Sequence, residues 1–428
     1  MQRIGSPGLR ATAAVVSLAV VFSVAACTSG TTSNTAQGPS SAHRAPASGQ
    51  RVATPSTTPP VKIVQAAVIT ASPESAESAI SPATPVSVRI AHGKLTLVTL
   101  RNAAGEAVRG TLAADSSTWT SAESLGYNRR YVLVAKGVNA AGVPVTKKTT
   151  VTTVAPQNMT QPIITDIYGS AVDNDATYGV GMVVRVHFDE QVDKAAAQRR
   201  MTVTTTGNVT GGWYWRDDQN AFWRPETYYP TGTKVKVTVA AYGARLGKGL
   251  YGQSDQAVAF TIGQKRVSVA NAKTHHVKVY FDGKQVRTMP TSMGKGGYEP
   301  GTNINFWTMS GTYTVINHEN PALMSSASFG IKSGPNYYPP EKVYWSTKIS
   351  TDGIYLHELD TTVWAQGRLN LSHGCLNLNL DNARWFYQHS RVGDIVNVVQ
   401  TGGPRITFDQ GGQWSVSWAD WLKGSALS

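Results

Sequence analysis

The sequence predicts a mainly β protein, in which two antiparallel β-sandwiches precede a third β-rich unit with one helix. Many short runs alternate between apolar and polar residues, as at 86–90 and 234–239, and this alternation is the period of half-buried strands. Turn-forming residues separate these runs, and glycine alone occurs 40 times. The length of 428 residues suits three domains of ordinary size behind an N-terminal segment of another kind,.

Residues 1–27 have the features of a secretory signal with a lipidation site. Arg3 and Arg10 precede an apolar stretch that ends in the small residues before Cys27,. The sequence Val-Ala-Ala-Cys resembles the lipobox of bacterial lipoproteins, in which this cysteine is diacylated and begins the mature protein. An ordinary signal peptide or a membrane anchor is the alternative, although the stretch is short for a spanning helix. We therefore expect an exported protein, lipid-anchored through Cys27 at the outer face of the cell membrane and reaching into the cell wall.

Residues 28–60 are rich in Ser, Thr, Ala, Pro and Gly and contain almost no large apolar side chain. Such a segment cannot bury enough apolar surface to offset the entropy lost on ordering. We expect a disordered tether that holds the folded domains away from the membrane.

Two sandwich domains are predicted over residues 61–155 and 156–263. Alternating strands such as 131–135 and 182–188 are separated by turns in both segments,. Neither segment contains the paired cysteines of antibody domains, so "immunoglobulin-like" describes only their β-sandwich architecture.

Residues 264–400 form the third predicted domain. A strand at 276–281 meets the hairpin turn Asp282-Gly283,, and further strands are expected at 311–316 and 353–357. A single helix is predicted to begin after Asn379 or Asp381 and to run to about Ser390,.

The stretch Leu-Ser-His-Gly-Cys-Leu-Asn at 371–377 contains the candidate nucleophile. The chain has two cysteines, so if Cys27 carries lipid, Cys375 is a lone thiol that no disulfide explains. A reactive cysteine needs a base or a cation beside it. His373 shares a face with Cys375 in extended backbone, and His357 ends a strand that can return to the same place. Gly374 lets a substrate approach the backbone closely.

A histidine followed at this distance by Ser-His-Gly-Cys-Leu-Asn resembles the signature of the L,D-transpeptidase catalytic domain. The matching positions are His357, Ser372, His373, Gly374, Cys375 and Asn377. The resemblance covers about 264–400, and the two sandwiches behind a lipobox resemble the actinobacterial, mycobacterial-type members. It implies a β-rich catalytic fold and an enzyme that joins peptidoglycan stem peptides through diaminopimelate residues, giving 3→3 cross-links.

The resemblance also implies roles for the matching residues. Cys375 is expected to form a thioester with the donor stem, with His357 as its base or ion-pair partner and His373 as an orienting residue. The N–H groups of Gly374 and Cys375 are expected to form the oxyanion hole. Ser372 and Asn377 are expected near the substrate, as hydrogen-bonding residues that fix the turn. One departure from the mycobacterial pattern is Glu358, where a small polar residue is common. If residue 358 contacts the His357 imidazole only through its backbone carbonyl, the change has no effect. If its side chain makes the contact, the carboxylate would raise the pKa of His357.

Two further stretches resemble substrate-binding parts of the family. Residues 333–340 are similar to its lid, with Tyr338 above the thiol, and residues 289–297 are similar to the donor-side strand and loop, beginning at Met289. The alternative for both stretches is an ordinary loop without a binding role.

Charge and composition limit the partners. The net charge is +13, but the basic residues are dispersed and no nucleic-acid module is recognisable,, so we expect wall polymers and anionic headgroups as the polyanions around the protein. We expect stem peptides as substrates, carbapenems as inhibitors, and no nucleic acid, metal or other cofactor. A zinc site built from the two histidines and Cys375 is an alternative, although paired zinc-ligand spacings are absent.

Three alternatives to cross-linking remain open. The two histidines and Cys375 could be buried core residues, with hydrogen-bond partners for the histidines and no catalytic role. The enzyme could be an L,D-carboxypeptidase, in which water replaces the amine. The chain could also be a wall-binding structural protein whose catalytic domain has decayed.

Residues 401–428 form a tail that no catalytic motif explains. Trp414, Trp418 and Trp421 are spaced so that they share a face on a helical turn,. We predict that the tail docks where the second sandwich meets the catalytic domain, because three exposed tryptophans would leave an apolar patch.

Overall fold

The structure is a computed structural model that describes residues 64–74 and 79–427. The predicted signal segment, Cys27 and the whole predicted tether lie outside these residues. The described residues all belong to one unit, Ile63–Ser428, and the predicted mainly β fold class is confirmed. None of the described helices is long and apolar enough to cross a membrane.

The first sandwich consists of two four-stranded sheets packed face to face. Their orders are β1-β2-β6-β5 and β4-β3-β7-β8, with β1 Val68–Ser72, β2 Ser87–Ala91, β3 Gly93–Asn102, β4 Ala107–Val108, β5 Gly110–Leu112, β6 Thr118–Ser121, β7 Arg130–Asn139 and β8 Pro144–Thr152. Every second residue of the predicted strand at 86–90 is buried, and Val88 and Ile90 pack with Leu100, Trp119 and Leu133 from both sheets,.

The second sandwich also has two four-stranded sheets. It contains β9 Asn158–Thr160, β10 Pro162–Thr165, β11 Thr177–Tyr178, β12 Val184–Phe188, α1 Lys194–Gln198, β13 Met201–Thr205, β14 Gly211–Trp215, β15 Asn220–Pro225, β16 Lys234–Val239, β17 Leu250–Gly252 and β18 Gln256–Ile262. The sheet orders are β10-β12-β15-β14 and β11-β18-β16-β13, with a small β17-β9 sheet. The sequence predicts an antiparallel sandwich, but the β11–β18 and β9–β17 pairs are parallel. Parallel strands need a long connection, and the strands of each pair are separated by most of the domain sequence.

The third domain is built on a five-stranded sheet and a four-stranded sheet, ordered β21-β20-β19-β29-β22 and β23-β26-β27-β28, with a separate β24-β25 hairpin. The elements are β19 Arg266–Asn271, β20 His276–Phe281, β21 Lys284–Pro290, β22 Gly311–Thr314, β23 Asn317–Glu319, β24 Ala322–Met324, β25 Glu341–Val343, β26 Ser346–Lys348, β27 Tyr355–Glu358, β28 Leu376–Leu378, α2 Leu380–His389 and β29 Ile395–Val399. Short 3₁₀ turns occupy Ser326–Phe329 and Asp360–Thr362.

Local sequence explains the best-predicted elements of this domain. Asp282 and Gly283 both have positive φ, at 49° and 82°, as the tight hairpin turn between β20 and β21 requires. The predicted helix is α2, and it begins at its cap Asn379, whose side chain accepts a hydrogen bond from the Asn382 N–H at 2.9 Å,. Its buried residues Ala383 and Phe386 pack into the domain core.

Strand alternation in the four-stranded sheet separates the core from the site. Leu356 and Leu376 are register partners in the parallel β27–β28 pair, and both are buried in the core. Because successive side chains point to opposite faces, Tyr355, His357 and Cys375 lie on the other face of the same two strands.

The tail packs between the second sandwich and the catalytic domain. Its elements are 3₁₀ turns at Phe408–Gln410 and Gln413–Ser415 and the helix α3 at Trp418–Leu422. The three tryptophans do not share one helical turn as predicted, because the chain is extended at Val416 between the second 3₁₀ turn and α3. They meet instead around the Arg224 guanidinium, whose carbon lies 4.7, 5.3 and 4.5 Å from the rings of Trp414, Trp418 and Trp421.

Candidate active site

A cavity of about 630 Å³ opens above the face that carries Cys375. Its wall combines four regions: the motif residues His373, Gly374 and Cys375; part of the segment 303–309; the turn 351–355 with Lys348; and the segment from Leu323 to Tyr338. The last segment is called the lid below. The structure therefore brings Tyr338 into the same cavity as Cys375 and His373.

Cys375 lies at the floor of this cavity as a partly exposed thiol. Its Sγ–H donates to the Gly353 carbonyl oxygen at 3.5 Å. Burial raises the pKa of the thiol to about 11, the Tyr355 backbone N–H opposes that rise, and the Asp352 carboxylate adds to it,. The sulfur is therefore a protonated thiol at neutral pH, and its activation requires a base.

His357, the predicted base, lies on the face of the sheet that carries Cys375. It lies in β27 opposite Asn377 of β28. Asn377 is two residues along the chain from Cys375, so His357 and Cys375 lie on the same face of the sheet. Its Nδ1–H donates to the Glu358 backbone carbonyl at 2.8 Å, which leaves Nε2 as the acceptor nitrogen. Burial lowers the pKa of His357 to about 4, so the imidazole is neutral. The contact with residue 358 is through the backbone, so the unusual Glu358 side chain does not take part in it.

Ser372 fixes the turn that presents the thiol. Its Oγ accepts from the Gly374 N–H at 3.0 Å and donates to the Cys375 carbonyl at 2.6 Å, while Thr308 Oγ1 donates to the Gly374 carbonyl at 2.7 Å. Gly374 has a φ of 141°, a conformation that favours glycine.

These contacts bear on the predicted oxyanion hole. The Gly374 N–H already donates to Ser372 Oγ at 3.0 Å, so this group would have to exchange that bond for one to an oxyanion, and its predicted role stays a prediction. The structure records no acceptor for the Cys375 N–H among residues 64–74 and 79–427, and this group stays available. Ser372 is buried outside the cavity wall and makes the hydrogen bonds expected of a residue that fixes the turn, while its predicted place near the substrate stays a prediction.

Asn377 and Met289 are structural residues and do not line the cavity. The Asn377 carbonyl accepts from Ser292 N–H at 3.1 Å and from Thr291 Oγ1 at 3.0 Å, which ties β28 to the loop after β21. Met289 is fully buried in the core opposite Val277. Strand register directs Met289 into the core and Asn377 is 2% exposed, so neither side chain reaches the cavity wall, and their binding of substrate stays a prediction.

His373 lies under an aromatic cover formed by Phe306 and by two rings of the lid. Its ring centroid is 5.1 Å from Phe306, 5.5 Å from Tyr338 and 6.1 Å from Phe329. Burial, followed by the nearby Lys295 ammonium, lowers the pKa of His373. Nε2 of His373 is buried and has no hydrogen-bond partner among the described residues, so this ring is shielded by aromatics rather than bonded to the nucleophile.

The lid is held to the domain by polar contacts. Tyr338 N–H donates to Ser326 Oγ at 2.9 Å, which fixes one end of the lid to the other. Asn336 Nδ2 donates to Glu299 Oε2 at 2.6 Å, and Lys295 Nζ donates to Asn336 Oδ1. These contacts place the Tyr338 ring above the cavity floor.

Sequence reasoning missed several residues of the cavity wall, among them Lys348, Asp352 and Tyr355. The available signal was strand alternation: Lys348 and Tyr355 are register partners in β26 and β27, on the same face as His357. No group of three or more His, Cys, Asp or Glu side chains able to hold a metal ion occurs in the described part of the chain.

A thiol in the cavity wall, with the neutral His357 imidazole on the same face of the neighbouring strand, defines a candidate acyl-transfer site in this β-rich domain,. Comparison with known proteins gives the family. The L,D-transpeptidase catalytic domain family matches residues 265–398, and the bacterial Ig domain family matches residues 77–245.

Full-length relatives agree with these domain matches. L,D-transpeptidase 2 of Mycobacterium tuberculosis (strain CDC 1551 / Oshkosh) is 38% identical over 328 residues, which are 76% of this chain and 76% of that protein. L,D-transpeptidase 5 of Mycobacterium tuberculosis (strain ATCC 25618 / H37Rv) is 33% identical over 336 residues, 76% of this chain and 70% of that protein. A solved structure of the L,D-transpeptidase LdtMt1 in complex with imipenem is similar at 28% identity over 56% of this chain and 99% of that one, with a TM-score of 0.46. The chain belongs to the L,D-transpeptidase family, and the predicted resemblance is confirmed.

Proposed function

We propose that this peptidoglycan transpeptidase forms 3→3 cross-links between diaminopimelate residues through a thioester on Cys375. The observation that carries the proposal is the pairing of β27 with β28. It places the neutral His357, with Nδ1–H fixed to the Glu358 carbonyl at 2.8 Å, on the face of Cys375 at the cavity floor.

The first step transfers the donor stem to sulfur. His357 Nε2 takes the thiol proton as Cys375 Sγ attacks the carbonyl at the L-centre of diaminopimelate in a tetrapeptide stem. The Cys375 N–H donates to the oxyanion that forms. The carbonyl reforms as the C–N bond to D-alanine breaks, and the proton on His357 passes to the leaving amine, so that the imidazole is neutral again.

The second step releases the cross-linked product. The side-chain amine of diaminopimelate in a second stem attacks the thioester carbonyl, and His357 accepts the proton from this amine. The C–S bond breaks, sulfur recovers the proton, and a new amide joins the two stems. Tyr338 and the lid cover the floor of the cavity and help to exclude water, which would otherwise hydrolyse the thioester.

Mass spectrometry tests the reaction directly. The protein is incubated with a disaccharide-tetrapeptide, and we expect a dimer that has lost one D-alanine. The Cys375→Ala variant should give no dimer while keeping the circular dichroism spectrum of the parent. Tripeptide without dimer would instead show the carboxypeptidase, and cross-linking by the variant near the parental rate would refute the role of Cys375.

The same thiol should react with carbapenems. A β-lactam carbonyl is a strained acyl donor, so attack by Cys375 opens the ring and leaves the antibiotic bound to sulfur as a thioester. We expect the intact mass of the parent to rise by one carbapenem and the mass of Cys375→Ala to stay unchanged. Equal labelling of both proteins would show that another group reacts.

We also propose that a lipid on Cys27 anchors the protein at the outer face of the cell membrane, because Val-Ala-Ala-Cys ends the apolar segment,. Cys27→Ser should move the protein out of the membrane fraction, while the activity on soluble substrate stays within about twofold of the parent, since the residue lies far along the chain from the catalytic domain. Retention of the variant in the membrane fraction would contradict the lipoprotein proposal.

A further inference from the structure

Lys348 is a buried cation in the wall of the cavity. The residue is 8% exposed and lines the same cavity as Cys375. Its Nζ donates to the Tyr168 hydroxyl at 2.8 Å and lies 4.3 Å from the centroid of that ring. No carboxylate of the described residues lies within 4.0 Å of this ammonium. Tyr168 belongs to the second sandwich, so a residue of a second domain supports this part of the wall from behind Lys348.

The ammonium and the thiol are neighbours across the sheet. Lys348 is the register partner of Tyr355, whose ring centroid lies 5.4 Å from the Lys348 Nζ. The backbone N–H of Tyr355 in turn faces the Cys375 sulfur. Lys348 and Cys375 therefore lie on the same face of the sheet, two strands apart, and adjacent strands are about 4.8 Å apart. Both residues line the same cavity.

The other charged groups of this region are already engaged. The two Asp352 oxygens accept from Ser350 Oγ at 2.6 Å and from Gln410 Nε2 at 2.8 Å. Glu319 Oε1 accepts from the Tyr355 hydroxyl at 3.3 Å and from Asn317 Nδ2 at 3.2 Å. An ammonium has three protons to donate, and the structure assigns Lys348 only one acceptor, so the cation keeps donors for a ligand.

A buried ammonium is costly unless it is paired with a negative charge. We infer that Lys348 binds the carboxylate of the terminal D-alanine in the donor stem and that Tyr168 positions the lysine for this contact. The inference rests on the proposed function, which supplies the donor. The D-alanine carboxylate is one amino-acid unit away from the carbonyl that Cys375 attacks, so both groups of the donor must enter the same cavity. Lys348 and Cys375 line that cavity together.

Two consequences follow for the reaction. Lys348 selects donors with a free carboxyl terminus, because an amide offers the ammonium no negative charge. Binding of this terminus also orients the leaving amine relative to Cys375. The second sandwich thereby contributes to substrate choice through Tyr168.

The test compares two donors that differ only at the terminus, D-alanine and D-alaninamide. We expect the parent to prefer the acid in kcat/KM by about tenfold or more, as for a charge-assisted hydrogen bond. Lys348→Gln should abolish the preference by lowering the rate for the acid alone, and Lys348→Arg should retain part of it. Lys342→Gln removes an exposed lysine outside the cavity wall and should behave like the parent.

Tyr168 is tested as a positioning residue by the same ratio. Tyr168→Phe keeps the ring under the ammonium and loses the hydroxyl acceptor, so the preference for the acid should fall several-fold while kcat/KM for the amide stays unchanged. An equal fall for both donors would show that Tyr168 acts only through the fold and would overturn its positioning role.

A measurement that needs no cross-linking separates the inference from the proposed function. In a Cys27→Ser background, which leaves Cys375 as the only thiol, Cys375 is alkylated with iodoacetate, which carries a carboxylate, and with neutral iodoacetamide. Lys348→Gln should lower the iodoacetate-to-iodoacetamide rate ratio by about tenfold, with Lys348→Arg and Tyr168→Phe intermediate. An unchanged ratio in all three variants overturns the inference. Failure of the parent to acylate with either donor refutes the proposed function instead.

Discussion

At the residue scale, the site combines a thiol and an imidazole that are both neutral at rest. Burial raises the pKa of Cys375 to about 11 and lowers the pKa of His357 to about 4. A preformed thiolate–imidazolium pair would require the opposite shifts. The structure therefore favours proton transfer during attack, with His357 Nε2 as general base, over a stored ion pair.

This electrostatic state predicts the pH dependence of alkylation. In a Cys27→Ser background, Cys375 is the only thiol. Its rate of reaction with iodoacetamide should rise by about tenfold per pH unit between roughly pH 7 and 10, because the thiolate fraction grows until the pH reaches the raised pKa. Cys375→Ala serves as the unlabelled control. A rate that stays constant from about pH 6 to 8 would indicate an ion pair and contradict this prediction.

At the element scale, α2 and the turn that follows it connect the site to the domain junction. The helix begins at Leu380, after its cap Asn379 that directly follows β28, and it ends at His389. Beyond it, the carbonyls of Val392 and Gly393 accept from the N–H groups of Gly179 and Gly181 in the second sandwich, at 2.7 and 2.8 Å. The chain therefore runs from Cys375 through β28 and α2 directly to the contact between the catalytic domain and the second sandwich.

The N-cap of α2 gives a stability prediction. Asn379→Ala removes the acceptor for the Asn382 N–H and should lower the free energy of unfolding by about 1 kcal/mol, measured by urea denaturation. Asn379→Asp keeps a capping oxygen and should stay close to the parent. Equal destabilisation by both substitutions would show that the amide group matters beyond capping.

Asp394, at the start of β29, predicts a pH dependence of folding. Burial raises the pKa of this carboxyl to about 7 from an ordinary value of 3.8, with Arg391 N–H and Arg266 opposing the rise. The unfolded chain ionises first, so the stability associated with this group is full below about pH 4 and is lost as the pH rises to about 7. The melting temperature of Asp394→Asn relative to the parent should therefore increase across this window. A constant difference would contradict the raised pKa.

At the scale of the whole molecule, the C-terminal tail joins the second sandwich to the catalytic domain. Trp414 Nε1 donates to Gly181 O at 2.8 Å and Trp421 Nε1 to Gly212 O at 2.9 Å. The Thr312 N–H in β22 donates to Ser415 Oγ at 2.8 Å. Arg224 lies among the three tryptophan rings, and burial lowers its pKa to about 10. The tail thus fixes the orientation in which Tyr168 meets Lys348.

Removal of the tail should loosen this junction. Truncation at Gly402 should lower the melting temperature and expose the segment between the second sandwich and the catalytic domain to protease. Trp421 is fully buried, so Trp421→Ala should cost about 3–5 kcal/mol. Trp364 is 63% exposed, and its replacement by Ala should cost less than about 0.5 kcal/mol. Unchanged melting and protease resistance in the truncated protein would refute a structural role of the tail.

The sequence by itself determined the fold class and the family, and it supplied Cys375 as the candidate nucleophile. Strand periodicity, the Asp282-Gly283 turn and the Asn379 cap are local features, because each depends on residues that are near one another in the chain. The Ser-His-Gly-Cys motif is local as well, and the tryptophans of the tail are visible as a cluster.

Tertiary structure decided which groups of the motif are free and which distant residues join them. The Gly374 N–H is taken by Ser372, and Met289 turns into the core although its stretch resembles the donor site. Lys348 and Tyr168 meet only because two domains pack together with 180 residues between these positions. The choice of hydrogen-bond partner, the register of strands and the packing of domains all depend on contacts between residues far apart in the chain. A local sequence pattern does not predict such contacts.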